Sequence, residues 1–410
     1  MNPDHALVEK LRQTKLLFPW YESLISSSAG TGVLPHSARL AELPLMTAEV
    51  LEKHYYAADE PFAGRTDIYC YKTSGTSSGR RKSIYYSAED EARYLAIKLN
   101  VVSAILSDAR LTRAMADMGT GHAAATAEAV FRQLGMETES IPFQLPIERH
   151  VERLAAFRPE VLYTMPSILD RILMASPDPI QYGIRKIILV GEAAPPAWQQ
   201  RAAERLGIRP GDITDTYGSI EIGTIASYDH ALGRYVLTEG LIAEGLRAEE
   251  AGVGEAELGP DERILVLTST VRDLFPAIRF VTYDVVRDFE SIVVNGETRA
   301  SFKSLVKRVG NELKHGEKIS VYDIEDAVYR HIRDAAIRVV AKDNALTVHI
   351  LGETVAPDAL DAIKQEIAGR IPEIGVMIQG GMLQEIRVIA GAFDDTVHRQ
   401  AIKGKKIHKA

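Results

Sequence analysis

Pro159-Glu160-Val161-Leu162-Tyr163, PSILDRILMA at 166–175, Lys186-Ile187-Ile188-Leu189-Val190-Gly191 and PPAWQQRAAERLG at 195–207 alternate strand-like with helix-like sequence. The β-branched run 186–190 stops at a glycine. The stretch after it opens on proline and ends at Gly207, the residue types that start and stop helices. Strands alternating with helices lie parallel in one sheet, with the helices packed on its faces.

Working outward toward the N-terminus, residues 5–28 alternate apolar and charged positions at helical spacing, and residues 89–108 form a long amphipathic helix candidate. Between them, Thr47 is placed to cap a helix over AEVLEKHY, with Glu49 and Glu52 near its positive end. Toward the C-terminus, RYVLTEG, ERILVLTST and AIRFVTYDVV in 234–290 are strands separated by Gly-, Pro- and Asp-rich turns. The polar, glycine-containing stretch KRVGNELKHGEK marks a change of texture. Beyond it come a helix (YDIEDAVYRHI), two strands (AIRVVA, LTVHIL), a helix (PDALDAIKQEIAGRI) and a last strand (EIRVIAG). The expected class is therefore α/β: a large N-terminal domain, 1–309, with a parallel-sheet core and a smaller β-rich part, then a small α+β unit, 310–410, with the boundary at Gly310.

The totals bound the function. At 410 residues, 46% hydrophobic and 25% charged, the chain suits two globular domains. Its 48 Lys and Arg face 56 acids for a net charge of −8, which does not suggest general binding to nucleic acid or anionic membranes. One cysteine, Cys70, allows neither an intrachain disulfide nor a zinc cluster of cysteines. No run approaches the roughly 18 apolar residues of a membrane span, and MNPDHALVEKLRQTK has no apolar secretory region. The expectation is a soluble, cytoplasmic protein. No GxGxxG opens a βαβ unit, which argues against a Rossmann oxidoreductase.

Thr73-Ser74-Gly75-Thr76-Ser77-Ser78-Gly79-Arg80-Arg81-Lys82 suits a loop wrapped around a polyphosphate. Hydroxyls and backbone N–H groups donate to phosphate oxygens, glycines permit close approach, and three cations offset charge. The same composition also suits a solvated Ser/Gly turn, and it is not the GxxxxGK[ST] pattern. Gly191-Glu192-Ala193-Ala194-Pro195 and Asp215-Thr216-Tyr217-Gly218-Ser219-Ile220-Glu221 follow strand-like runs. They therefore fall at carboxyl ends of parallel strands, where open α/β sheets bind ligands. Tyr217 offers a flat face for a purine. Glu221 can hold Mg²⁺ through oxygen, or be simply a solvated acid at a helix start. Asp284 in Pro276-Ala277-Ile278-Arg279-Phe280-Val281-Thr282-Tyr283-Asp284 reads on its own as a strand-end turn residue. Lys307-Arg308-Val309-Gly310-Asn311-Glu312-Leu313-Lys314 reads as a charged connecting loop. The tail Lys403-Gly404-Lys405-Lys406 reads as a basic end.

Taken in order, these segments resemble the motifs of the adenylate-forming superfamily (acyl-CoA synthetases, luciferases and adenylation domains). The loop 73–82 is similar to TSGTTGxPK, one residue longer and with Arg81 in place of proline. The segment 215–221 resembles YGxTE, and 276–284 resembles the PxIRYxTxD signature of phenylacetate-CoA ligase-like enzymes. The stretch 307–326 is similar to the linker that opens the superfamily's mobile lid, and the tail to its closing GK pair. The resemblance implies that loop 73–82 binds ATP phosphates and that Tyr217 stacks on adenine. It implies that Glu221 engages Mg·ATP, that Asp284 holds the ribose hydroxyls, and that Arg308 holds ribose and phosphate. Gly191, Glu192 and Ala193 would lie along the adenine and acyl pocket, with Asp215 and Gly218 beside them and Gly310 as the hinge. Lys405, or Lys403 in its stead, would reach in for adenylation. In Met118-Gly119-Thr120-Gly121-His122, at the place of an acyl-pocket motif, His122 lines the substrate pocket or is an ordinary packed histidine. The implied reaction activates a small aromatic or medium-chain acid as its acyl-adenylate, then transfers the acyl group to CoA. Transfer to an amine or to a carrier-protein thiol is the alternative. The expected assembly is a monomer or homodimer. A non-catalytic nucleotide-binding relative is disfavoured by the presence of Glu221, Arg308 and Lys405.

Overall fold

The computed structural model describes residues 3–29, 40–57, 62, 65–72, 82–107, 110–118, 122–254, 258–309, 321–332, 335–342, 345–352, 355–371, 385–391 and 407–409. The chain divides into two compact units. The first comprises 1–98, 218–227 and 233–312; the second comprises 99–217, 228–232 and 313–410.

The parallel sheet lies in the second unit. Its strands run in the order Ile213–Ser219, Lys186–Val190, Val161–Thr164, Arg113–Asp117, Glu137–Ile141, every neighbouring pair parallel. The helix Pro166–Ala175 has proline in its first turn. The helix Pro196–Leu206 also starts on proline and ends where Gly207 turns left-handed at φ 66°. Ile187, Leu189, Leu162 and Ile213 from the sheet pack with Ile168, Leu169, Trp198 and Leu206 from these helices.

The same apolar core continues into the C-terminal segment. There Val321–Tyr329 and Pro357–Arg370 are helices, and the strands run in the order Glu385–Gly391, Ala345–Gly352, Ala335–Lys342, Ile407–Lys409. Ile324, Val328, Ile337 and Ile363 belong to the cluster that holds Trp198. A buried polar knot fixes Val321–Tyr329 on the helix Pro196–Leu206. Asp170 accepts from Trp198 Nε1 at 2.8 Å, from Arg201, and from the Tyr329 hydroxyl at 3.5 Å. The Arg201 guanidinium lies 4.6 Å from the Tyr329 ring centre.

The helical spacing at 5–28 resolves into two helices, Pro3–Leu17 and Trp20–Ala29, because Pro19 cannot continue the first. The first unit also holds an antiparallel sheet ordered Leu241–Leu246, Glu262–Ser269, Phe280–Arg287, Ser304–Arg308, and the hairpin Ile68–Lys72 with Ser83–Ser87. Its interior is tied by a buried ion pair. Asp90 accepts from Arg272 and from the backbone N–H groups of Asp273 (2.6 Å) and Leu274 (3.0 Å), while Arg272 donates to the Tyr85 carbonyl at 2.6 Å. Hydrogen bonds of this kind offset the cost of taking the two charges out of water.

Thr47 caps Ala48–Leu51, its hydroxyl accepting from Val50 N at 3.3 Å. Thr47→Ala is expected to lower stability by about 1 kcal/mol, measured as a lower denaturation midpoint at constant slope. An unchanged midpoint would show that the cap contributes nothing.

Candidate functional site

In the second unit several implied residues gather at the carboxyl ends of adjacent strands. Gly191 leaves the strand Lys186–Val190 at φ 83°, a conformation open to glycine at little cost. Glu192 follows and accepts from the backbone N–H of Ser167, at the start of the helix Pro166–Ala175. Ala193 beside it is half-buried. One strand over, Asp215 is buried opposite Leu189, and Thr216 donates to the Leu189 carbonyl at 2.6 Å. The half-buried Tyr217 comes next. His122, also half-buried, is the first residue of the helix His122–Gln133, which follows the strand Arg113–Asp117 on this same edge.

The edge holds one pair that sequence reasoning missed. Asp117 ends its strand fully buried, both carboxylate oxygens 2.8–2.9 Å from Nδ1 of the equally buried His150. An aspartate directly before the Met118–His122 motif was the available signal.

In the first unit Gly218 precedes the turn that carries Glu221. A Cβ at 218 would come within 2.7 Å of the Gly223 carbonyl oxygen, so the turn closes only over glycine. Tyr86 donates to the Ile220 carbonyl at 2.7 Å and fixes the turn from the other side. Glu221 thus sits in a hairpin turn between strands, not at a helix start.

Asp284 lies inside the strand Phe280–Arg287 and not at its end. Its neighbour Tyr283 is left-handed at φ 63°, and the register with Glu262–Ser269 jumps here: Ile264 faces Val285 while Val266 faces Val281. The extra residues form a bulge, a device that re-aims side chains. Asp284 faces Arg308 across the next pair of strands, with 3.9 Å between the Arg308 Nε and a carboxylate oxygen. Arg279, in the same motif, is structural. Its guanidinium holds Glu244 at 3.0 Å and donates to the carbonyls of Ala41 and Leu43.

The segment before the phosphate loop joins this group. Met46 bridges to Phe280, and Ala48 N donates to the Tyr283 hydroxyl at 2.9 Å, so 46–56 is stapled to the strand bearing Asp284. Residues Glu52–Tyr56 form a π-helical turn, a rare form often found at functional sites. Lys82 pairs with Glu52 at 2.5 Å and stands 4.7 Å over the Tyr56 ring. Burial, and then the carboxylate of Glu221, push the Tyr56 phenol far above its ordinary pKa; Glu52 adds to the push and Arg308 opposes it. Tyr56 is therefore a neutral O–H donor within electrostatic reach of Glu221, Glu52 and Arg308. The helical spacing read over this segment does not by itself set Tyr56 apart.

Thr73, Ser74, Gly75, Thr76, Ser77, Ser78, Gly79, Arg80, Arg81, Gly310, Lys403 and Lys405 lie outside the described residues. Among the described residues no three His, Cys, Asp or Glu side chains converge as a metal site. A Mg²⁺ at Glu221 is nonetheless compatible with that single carboxylate, because this ion commonly takes one or two protein ligands and completes its shell with water and substrate phosphates.

The fold is that of enzymes which make acyl-adenylates. It is similar to a 2-hydroxyisobutyryl-CoA ligase (TM-score 0.73, 15% identity, 99% of this chain and 89% of that one). It is also similar to a benzoate CoA ligase from Burkholderia xenovorans (0.56, 15%, 87% and 71%) and to an amide bond synthetase from Marinactinospora thermotolerans (0.50, 14%, 78% and 65%). Residues 314–394 match the family described as the fumarate–diaminopropanoate ligase C-terminal domain. Over 371 residues, 90% of this chain and 91% of the relative, the sequence is 38% identical to the fumarate–(S)-2,3-diaminopropanoate ligase of Enterobacter agglomerans. The chain belongs to the adenylate-forming superfamily, as an AMP-forming ligase, and within it to the family of that Enterobacter enzyme. No helix among the described residues is long and apolar enough to cross a membrane.

Proposed function

We propose that this ligase activates a small dicarboxylic acid as its acyl-adenylate and joins it to the amine of an amino acid. The supporting observation is the match over nine-tenths of the chain to a relative named for ligating fumarate to (S)-2,3-diaminopropanoate. This reading replaces CoA with an amine as the acceptor and an aromatic acid with a compact, charged one.

In the first step a carboxylate oxygen attacks the α-phosphorus of ATP, and pyrophosphate leaves with the electron pair of the α–β bridge. Glu221, Asp284 and Arg308 position the nucleotide, and cations around loop 73–82 offset phosphate charge; positioning and electrostatics carry most of such a step. Mg²⁺ bound through Glu221 and phosphate oxygens would neutralise charge on the departing pyrophosphate. In the second step the amine nitrogen attacks the acyl carbon, the bond to the phosphate oxygen breaks, AMP leaves and the nitrogen loses a proton to solvent. The C-terminal portion from Gly310 onward is proposed to carry Lys405 to the first step.

Two measurements test this. ATP–pyrophosphate exchange should respond to fumarate-like dicarboxylates above benzoate or medium-chain acids, with AMP and pyrophosphate as products. ADP as the only nucleotide product would end the adenylation reading. Supplying an amino acid bearing a side-chain amine should then yield an amide. An acyl-CoA formed with CoA, and no amide with any amine, would return the acceptor to a thiol.

A further inference from the structure

We infer that Tyr56 is a nucleotide-binding residue of this ligase, donating its hydroxyl to a phosphate of ATP and of the acyl-adenylate. The inference rests on the adenylation reading above and adds a wall to that site from a segment outside its motifs.

Three observations carry it. Tyr56 ends the π-helical turn Glu52–Tyr56, and the segment bearing that turn is stapled through Met46 and Ala48 to the strand that bears Asp284. The Lys82 ammonium, at the end of the phosphate loop, stands 4.7 Å over the Tyr56 ring and is held there by Glu52. The charges that act on the phenol include, beside that of Glu52, those of Glu221 and Arg308, two residues drawn from distant parts of the chain.

A half-buried tyrosine beside Lys82 matches what a phosphate needs from an uncharged wall. It offers one directed donor that stays protonated, and it brings no negative charge of its own. An aromatic face under Lys82 also holds that ammonium beside the phenol by cation–π attraction. A phenylalanine would keep the face and lose the donor.

Tyr56→Phe is therefore the test, read by calorimetric titration with ATP, AMP and adenosine in parallel with a melting curve. Loss of a hydrogen bond to a charged group predicts affinity for ATP and AMP lower by about 10-fold or more. Adenosine, which has no phosphate, should bind as it does to the wild type. Tyr56→Trp gives a second readout. It keeps an aromatic face with a displaced N–H donor, so it should also weaken ATP and AMP selectively. Wild-type binding of ATP and AMP by a folded Tyr56→Phe protein overturns the inference, as does an equal loss for adenosine, which would make Tyr56 a packing residue of the nucleoside. If the wild type itself binds no ATP, the adenylation reading has failed, which is a different result from a normal Tyr56→Phe.

Discussion

Lys405→Ala is expected to lose adenylate formation by a factor of roughly 10²–10³ while keeping a near-normal rate of acyl transfer from chemically synthesised acyl-adenylate. The two half-reactions ask different things of a cation. In the first, two anions meet: the carboxylate must approach a triphosphate that is already negative. A long, mobile point charge that touches both lowers that barrier. In the proposed second step the nucleophile is a neutral amine and the leaving group is already bound, so the same lysine has little left to offset. The tail has a fixed anchor from which such a residue can act. Two residues beyond Lys405, the strand Ile407–Lys409 pairs in parallel with Val339, Val340 and Ala341 of the C-terminal sheet. Supplying the adenylate directly also removes ATP affinity from the comparison. Equal losses in both assays would make the tail structural. A normal Lys405→Ala beside a defective Lys403→Ala would shift the role two residues upstream and leave the chemistry intact.

How far the fold was legible depends on where each element finds its partners. The run Lys186–Val190 is apolar and β-branched, bounded by Gly191, and its helix carries its own start and stop residues, so it reads correctly alone. The C-terminal strands Ala335–Lys342 and Ala345–Gly352 are long and rich in valine and isoleucine, and they too are plain. The stretch 113–141 is not. Arg113–Asp117 is alanine-rich and ends in a charged residue, while Glu137–Ile141 has two glutamates. What makes Asp117 acceptable at 0% exposure is His150, which lies 33 residues further on. No local pattern announces a carboxylate whose partner is on another element. The site shows the same division. Gly218, Glu221, Asp284 and Arg308 stood out because short motifs surround them. Glu52 reads in the sequence only as an acid near a helix start and Tyr56 as part of the same helical stretch, and their meaning appears only when Lys82, Glu221 and Arg308 arrive from elsewhere.

Asp284→Ala and Glu221→Ala should each lower ATP–pyrophosphate exchange by about 10²-fold, the loss typical of one well-placed polar contact to a transition state. Neither change should cost much stability. Both residues are only partly buried, and Asp284 meets Arg308 at 3.9 Å with Arg308 itself 60% exposed, a pair too solvated to hold the fold. What the fold supplies is direction: the left-handed Tyr283 and the slipped register around it turn Asp284 out of the ordinary strand alternation. The two losses should differ in kind. If Asp284 accepts the ribose hydroxyls, 2′-deoxy-ATP should be a poor substrate for the wild type, and Asp284→Ala should no longer discriminate against it, because the same contact is already gone. If Glu221 engages the metal of Mg·ATP, its alanine variant should recover part of its activity as Mg²⁺ is raised, and Asp284→Ala should not. Exchange at wild-type rates in both folded variants would remove the nucleotide from this face of the first unit. Undiminished discrimination against 2′-deoxy-ATP in Asp284→Ala would assign the ribose to another acceptor while leaving Glu221 in place.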